Sequence, residues 1–213
     1  MTVRDNNPLP NIREALENFR GKGLFSKFDI RWGYNNIRLK EEDKYKVAFK
    51  TNFGTYIPQV MYFGLMNTSP FFQRVMHRDF RELLQQYPEN LGNYMDDWWI
   101  ATDNTEGVQL HRRIVHAFLD QMEQKSYFLK ALKTQFEKPQ IELLGWLVSR
   151  EGIKIDPSKV SRIADWPREL KSVKEDQETL GVLGYQRAFI KDFAKIARPL
   201  HDLTKKLNIG TVF

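Results

Sequence analysis

The chain has 213 residues, 41% hydrophobic and 28% charged, with 15 Phe, 5 Trp and no Cys, which supplies a buried core and excludes a disordered tail, a disulfide scaffold, a zinc–cysteine site and a thiol nucleophile. No run approaches eighteen apolar residues and residues 1–6 hold no apolar segment, so neither a membrane span nor a signal peptide is expected. The net charge of +6 is uneven: residues 1–103 hold 14 basic and 13 acidic side chains, residues 104–213 hold 19 and 14, which fits a polyanion partner or a solvated helical surface.

Residues 6–10 read as an extended entry, because a residue before proline is pushed out of the helical region. Residues 11–20 put Ile12, Ala15, Leu16 and Phe19 on one helical face, and Gly21-Lys22-Gly23 ends that helix. Residues 24–30 predict a strand. Ile37 and Leu39, then Tyr45, Val47 and Phe49, alternate with polar residues around a charged turn at 40–44, which predicts an antiparallel pair with one wet face. A further turn at 52–55 leads into residues 56–61. Pro70 opens a helix with the stripe Phe72, Val75, Met76, Phe80, Leu83, Leu84 and Tyr87, stopped by Pro88. Residues 91–102 read as a hairpin. Residues 103–105 offer a cap for a helix to about Lys125, striped by Val108, Val115, Phe118, Leu119 and Met122. Residues 141–149 predict a strand that turns at Glu151-Gly152 into Ile153-Lys154-Ile155. From Asp156-Pro157, an N-cap followed by proline at the first helical position, the rest reads as helical. Ser172 to Glu175 has capping-box spacing, Leu180, Leu183, Phe189 and Phe193 form an apolar side, and Pro199 predicts a break. The chain is thus α+β to about residue 155 and all-α after it, with a boundary near 150–156.

Tyr94-Met95-Asp96-Asp97 is the segment richest in chemistry. Two adjacent carboxylates repel, yet here they sit between Leu91-Gly92-Asn93 and Trp98-Trp99-Ile100-Ala101, which read as buried strand. That pattern predicts a tight hairpin with the acids at its tip. Such a tip is either an ordinary polar turn or a holder of hard oxygen ligands for Mg²⁺. Asp29 closes the apolar strand Phe25-Ser26-Lys27-Phe28, and in a shared sheet it can face Asp96, so that two divalent cations could share carboxylates. Taken alone, Asp29 also reads as a strand-end residue capping a turn. The four histidines carry no functional expectation; those at 77 and 116 lie among core positions of helices.

Here the chain resembles the reverse transcriptases of Ty3/gypsy-type long-terminal-repeat retrotransposons, over about residues 3–206. The residues that carry the likeness come in family order. They are Pro8-Leu9-Pro10 with Ile12, then Phe25-Ser26-Lys27-Phe28-Asp29-Ile30-Arg31-Trp32-Gly33-Tyr34 with Ile37-Arg38-Leu39. Lys46-Val47-Ala48-Phe49-Lys50-Thr51, Met61-Tyr62-Phe63-Gly64-Leu65-Met66-Asn67 and Phe72-Gln73-Arg74-Val75-Met76 follow. Then come Tyr94-Met95-Asp96-Asp97, Leu144-Gly145-Trp146-Leu147-Val148-Ser149 with Gly152-Ile153, and residues from Lys159-Val160 through Trp166-Pro167, Leu180-Gly181 and Phe189-Ile190 to Ile196-Ala197-Arg198-Pro199-Leu200.

The resemblance implies a right-hand polymerase: a palm of antiparallel sheet backed by helices with partial fingers in residues 1–150, a helical thumb or connection at 151–206, and a tail at 207–213. It implies an RNA-directed DNA polymerase that adds dNTPs to a primer 3′-hydroxyl by two-metal-ion catalysis. Asp29, Asp96 and Asp97 would be the catalytic carboxylates holding two Mg²⁺, with Mn²⁺ as substitute, and Ile30 would lend a backbone group near the metal. Tyr34, Phe63 and Gly64 would meet the nucleotide, with Tyr34 set to collide with a 2′-hydroxyl. Tyr94, Met95, Leu144, Gly145 and Trp146 would meet the template or primer. Implied partners are an RNA or DNA template with its primer, dNTPs, and the RNase H and integrase domains of a parent polyprotein; no membrane is implied. The implied place is the cytoplasm, in a retrotransposon particle, or the nucleus.

Departures from the family pattern leave a second reading open. The family's basic, aromatic stretch upstream of Pro-Leu-Pro has no counterpart, so only partial fingers and no ribonuclease H segment are expected here. Met61-Tyr62-Phe63-Gly64 replaces Met-Pro-Phe-Gly, Asn67-Thr68-Ser69-Pro70 displaces a proline, Tyr185-Gln186-Arg187-Ala188-Phe189-Ile190 departs from Tyr-Tyr-Arg-Arg-Phe-Ile, and Trp98-Trp99 is bulky for a hairpin exit. The alternatives are a catalytically incomplete remnant that binds nucleic acid or a partner, and a plain α+β scaffold.

Overall fold

In the computed structural model, residues 3–5, 10, 12, 19, 21–103, 107–164 and 169–206 are described. Apart from Ile12 and Phe19, the helix expected over 11–20 lies outside them, as do the cap residues 104–105, Trp166-Pro167 and the tail 207–213. The chain divides into two compact units, Met1–Lys154 and Ile155–Phe213.

The first unit begins with β1 (Leu24–Asp29), then a small hairpin of β2 (Phe49–Thr51) and β3 (Gly54–Tyr56). Helices α1 (Thr68–Asp79) and α2 (Arg81–Gln86) lead to β4 (Leu91–Tyr94), β5 (Asp97–Thr102) and α3 (Gly107–Gln124). Four strands close it: β6 (Gln135–Lys138), β7 (Gln140–Leu143), β8 (Trp146–Ser149) and β9 (Gly152–Ile155). The central sheet is antiparallel in the order β4-β5-β1-β6, and β7-β8-β9 form a second sheet.

Period-two alternation divides the residues of the central sheet between two cores. Phe28, Trp98 and Ile100 turn to the helices, where they meet Phe72, Val75, Met76, Phe80, Ile114 and Phe118. The Trp98 ring lies 4.4 Å from that of Phe80 and 5.2 Å from that of Phe118. Phe25, Trp99 and Ala101 turn the other way, onto Ile141, Leu143, Trp146 and Val148. Each large apolar side chain so buried contributes roughly 1.5–3 kcal/mol. Trp99 lies flat across its cross-strand partner Gly92, where a Cβ would come within 2.7 Å of the indole. Only glycine fits there.

Several expected elements differ. Residues 37–49 do not form an antiparallel pair. Leu39 N–H donates to Gln59 O and Met61 N–H to Ile37 O, while residues Glu41–Val47 wind into a 3₁₀ turn. The ion pairs Lys44–Glu41 and Lys46–Asp43, three apart, suit that turn, and Tyr45 is exposed, so the alternation marked no buried face. The helix over 70–87 starts at Thr68 and divides at Phe80 without proline or glycine. Gln121 Nε2 donates to the Asp79 carbonyl at 2.6 Å and Tyr127 OH to Asp79 Oδ2 at 2.8 Å, so α3 and its following loop draw that carbonyl out of the helix ladder. Residues 141–149 are two strands. Leu144 and Gly145, with φ of 48° and 83°, make the two-residue turn between β7 and β8.

The second unit is helical: α4 (Pro157–Ala164), α5 (Val173–Tyr185) and α6 (Phe193–Lys206). Ser172 Oγ accepts from Glu175 N–H at 3.2 Å, and Glu175 Oε2 accepts from Lys171 N–H at 2.7 Å, so the expected cap forms. Pro199 does not break α6 but lies inside it. One ladder hydrogen bond is forfeited, and Ala197, buried, keeps the helix packed across the proline.

Candidate active site

The register of β1 against β5 sets Asp29 directly opposite Asp97, not Asp96. Directly opposed antiparallel residues point to one face with Cβ atoms about 5 Å apart. Asp29 and Asp97 therefore share the face of Phe25 and Trp99, away from the helices. Met95 and Asp96 form the two-residue turn that joins β4 to β5, since Tyr94 pairs with Asp97. The Asp96 carbonyl accepts from Ile30 N–H at 3.0 Å, which ties the turn to the end of β1 and occupies the Ile30 amide.

Three lysines meet these acids. Asp29 is 6% exposed, and its carboxylate accepts from Lys130 Nζ at 2.5 Å and Lys133 Nζ at 3.1 Å. Lys130 is set in place by its own N–H, which donates to the Asp29 carbonyl at 2.9 Å. Lys27, two residues before Asp29 on the same strand face, lies 3.2 Å from Asp97 Oδ1. Burial pushes the Asp96 carboxyl above the usual carboxylate range; a backbone hydrogen bond opposes this, and the charges of Asp97 and Asp29 add to it. The Asp29 hydrogen bond raises Lys133.

Tyr34 stands in a 3₁₀ turn, Gly33–Asn36, that follows Trp32 at φ 52°. Its ring is buried, 4.5 Å from the Phe63 ring and 4.8 Å from the Phe72 ring, and its hydroxyl lies 3.5 Å from Ser69 Oγ. Gly33 gives room for the Phe72 ring: a Cβ there would stand 2.8 Å from Phe72, and in ordinary contact, 3.5 Å, with Asp96 Cβ. Phe63 is 75% exposed beside Tyr34, and Gly64 has φ 98°. Tyr94 is half-buried and packs on both cores, whereas Met95 is buried in the helix-side core. Leu144 and Gly145 form the β7–β8 turn, and Trp146 is buried in the second core with Phe25 and Trp99.

The structure thus brings Asp29, Ile30, Tyr94, Met95, Asp96 and Asp97 to one end of the central sheet, with Tyr34 beside them. Lys27, Lys130, Lys133, Gln73 and Asn93 also belong to this end, and sequence reading missed them. Lys27 had a signal, its position two before Asp29 on one strand face. Asn93 adjoins the acid segment but no residue type there announces its role, and nothing local marks Lys130, Lys133 and Gln73, which arrive from distant segments.

The donor set suits a hard divalent cation: three carboxylates, one with its carboxyl raised by burial and neighbouring negative charge. As they stand, the Asp29 and Asp97 side chains are turned to the lysines, and among the described residues no three acidic or histidine groups are gathered as a metal cluster. Donor chemistry and the neighbouring backbone positions of the three acids fit such an ion, and to reach it Asp29 would have to leave Lys130 and Lys133, and Asp97 would have to leave Lys27.

Comparisons with known proteins speak to the family and the fold. The family model described as reverse transcriptase (RNA-dependent DNA polymerase) matches residues 1–186. The retrovirus-related Pol polyprotein from transposon gypsy of Drosophila melanogaster is 36% identical over 207 residues, covering 97% of this chain and 19% of that protein. The chain spans about a fifth of the length of the curated relatives it matches. Among solved structures, the foamy viral protease-reverse transcriptase in complex with ds DNA matches with a TM-score of 0.82 at 19% identity, over 96% of this chain and 34% of that one. The same viral protein in complex with RNA/DNA hybrid matches with a TM-score of 0.82 at 18% identity, over 96% of this chain and 27% of that one. Those two likenesses speak for the α+β fold. With the family model spanning most of its residues, the chain belongs to the reverse transcriptase family.

Proposed function

We propose that the chain is an RNA-directed DNA polymerase domain, with residues 1–150 as palm and partial fingers and 151–206 as a thumb-like region. One observation carries this reading: Asp29 opposite Asp97 in the sheet, with Asp96 in the adjoining turn hydrogen-bonded to Ile30. Asp29, Asp96 and Asp97 would hold Mg²⁺, or Mn²⁺ in its place. When bound, such ions supply charge stabilisation at phosphate oxygens and acidify a primer hydroxyl.

The chain's own residues do the rest. The sheet and the Ile30–Asp96 hydrogen bond fix the backbone that carries the acids before substrate arrives, and Asp29 and Asp97 would exchange their lysine partners for the metal. Lys27, Lys130 and Lys133 keep the acids soluble in one another's company, and on release their ammonium groups can face the phosphates of a triphosphate or primer. Tyr34, braced by Phe63 and Phe72, presents a rigid ring that would exclude a 2′-hydroxyl and so favour dNTPs. The basic excess of residues 104–213 would grip duplex phosphates, with base pairing left to choose sequence. The foamy viral relative is bound to DNA and to RNA/DNA hybrid in its structures, which supports a template–primer duplex as partner.

A second reading has its own observation. Both carboxylate oxygens of Asp29 are engaged by lysines, which suits a nucleic-acid-binding remnant without catalysis. Primer extension on an RNA template with Mg²⁺ or Mn²⁺, beside the Asp96→Asn/Asp97→Asn chain, decides between them. Extension by the wild type alone supports the polymerase. Salt-sensitive duplex binding with no extension by either chain supports the remnant.

A further inference from the structure

We propose that Gln73 and Asn93 are positioning residues that hold the Met95–Asp96 turn in the backbone shape that aims Asp96 and Asp97, a proposal that rests on the polymerase reading above. Met95 has a φ of 58°, a region that side-chain-bearing residues avoid and that two-residue hairpin turns ordinarily fill with glycine, asparagine or aspartate. Such strain persists only where surrounding structure over-determines it.

Here the surroundings can be named. Met95 N–H donates to Gln73 Oε1 at 2.7 Å, and Met95 C=O accepts from Asn93 Nδ2 at 3.1 Å. Gln73 Nε2 in turn donates to Asn93 Oδ1 at 3.2 Å. The three groups close a ring in which each amide can point only one way, since reversing either would set donor against donor or acceptor against acceptor. Gln73 Nε2 also donates to His77 Nε2 at 2.8 Å, one helical turn along α1. Gln73 is 1% exposed and Asn93 is 5% exposed, so water competes little for these bonds.

The arrangement does more than satisfy buried polar atoms. Burial alone would be served by an apolar side chain at position 73, beside Phe72 and Met76 in the helix-side core. Instead α1 reaches across to the one residue between β4 and the acids. The turn has three anchors: Gln73 on the Met95 N–H, Asn93 on the Met95 carbonyl and Ile30 on the Asp96 carbonyl. Loosening the first frees Met95 to relax toward negative φ, which rotates Asp96 and Asp97 relative to Asp29.

The test uses the 213-residue chain, its Gln73→Met and Met95→Gly variants, and the double variant. Amide hydrogen exchange at Met95 reads the clamp without reference to activity. Urea unfolding checks that each chain is folded, and kcat and KM are measured on a template–primer duplex. Gln73→Met is expected to speed exchange at Met95 and to lower kcat by about tenfold to a hundredfold with KM for the duplex held, the scale of a misplaced reacting group. Because glycine adopts positive φ unaided, the same substitution in the Met95→Gly background is expected to lower kcat by less than about threefold. A merely structural Gln73 would give equal losses in both backgrounds. Unchanged exchange at Met95, unchanged kcat, or equal losses with and without Met95 overturns the proposal. A wild type that protects Met95 yet extends no primer overturns the polymerase reading and, with it, the catalytic part of this one.

Discussion

Lowering pH is expected to destabilise the first unit through one residue, His111. It lies on α3 with 0% of its surface exposed, and among the described residues its ring nitrogens meet two neutral hydroxyls, Ser26 Oγ at 2.8 Å and Thr102 Oγ1 at 2.9 Å. Burial pushes its pKa down; the nearby charge of Glu137 offsets this in part, but that carboxylate is held by Arg112 at 2.6 and 3.0 Å. In an unfolded chain histidine titrates near 6.5, as about the model-peptide value. The folded value is lower, so in the window between the two the unfolded state binds the extra proton. The stabilisation is complete above about pH 6.5 and drains away as pH falls from there toward the folded pKa. Because the folded value is lower, going from pH 7.5 to 5.5 removes at most about 1.4 kcal/mol, or about 0.7 M in urea midpoint at a slope of about 2 kcal/mol per M. Fluorescence of Trp98 and Trp99, both buried in this unit, follows the unfolding. His111→Gln keeps an amide donor and acceptor in the site; it is expected to lower stability at pH 7.5 by about 1–3 kcal/mol but to flatten the pH dependence by at most about 1.4 kcal/mol. Carboxylates and His77 are common to both chains and cancel in the difference. Equal midpoint losses in the two chains over this range would refute the buried neutral imidazole.

Trp98 is fully buried, and among the described residues its Nε1 has no partner, so Trp98→Phe removes an orphaned donor along with volume; the expected cost by urea unfolding is below about 1.5 kcal/mol, against about 3–5 kcal/mol for Trp98→Ala. Asp176, 5% exposed in the first turn of α5, has an Oδ1 without a partner among the described residues, so Asp176→Leu is expected to stabilise the second unit by about 1 kcal/mol, the desolvation relieved exceeding the helix-dipole term lost; a lower melting temperature by circular dichroism would contradict this. Gly33→Ala drives a Cβ to 2.8 Å from Phe72, and should cost about 1–3 kcal/mol by overpacking while lowering primer extension more than a comparably destabilising change remote from Asp96.

Local signals were legible where local chemistry decides the outcome. The hairpin of β4 and β5 was readable because strand-forming residues flank a polar segment, although its turn is Met95–Asp96 and Asp97 already belongs to β5, and the start of α5 was readable because Ser172 and Glu175 act three apart. Elements set by distant partners were not. The division at Phe80 depends on Gln121 reaching the Asp79 carbonyl, 42 residues away in sequence, and the pairing of Ile37 with Met61 left Tyr45 and Val47 no strand to join. Gly145 was a visible signal for the β7–β8 turn that the apolar run around it masked. The same division holds in the site. The acids stood out as residue types, whereas Lys130, Lys133 and Gln73 acquire meaning only once β1, α1 and β4 are neighbours.

Adjacency of Asp96 and Asp97 is what lets one short segment address two different surroundings. Residues next to each other in a strand point to opposite faces, so two acids inside β5 could not both serve one site. Placing the first in the turn removes that constraint. Asp97, the first residue of β5, takes the face of Asp29 and Lys27, where it is charge-compensated. Asp96, one residue earlier, stands against Gly33, where burial raises its carboxyl. Asp97 is thus paired with Lys27 while burial raises the Asp96 carboxyl, and the strand register decides which of the two acids stands opposite Asp29. A one-residue slip of β5 against β1 would put Trp98 opposite Asp29 and drive an indole out of the helix-side core, so the packing that buries Trp98 is also what keeps Asp97 in register.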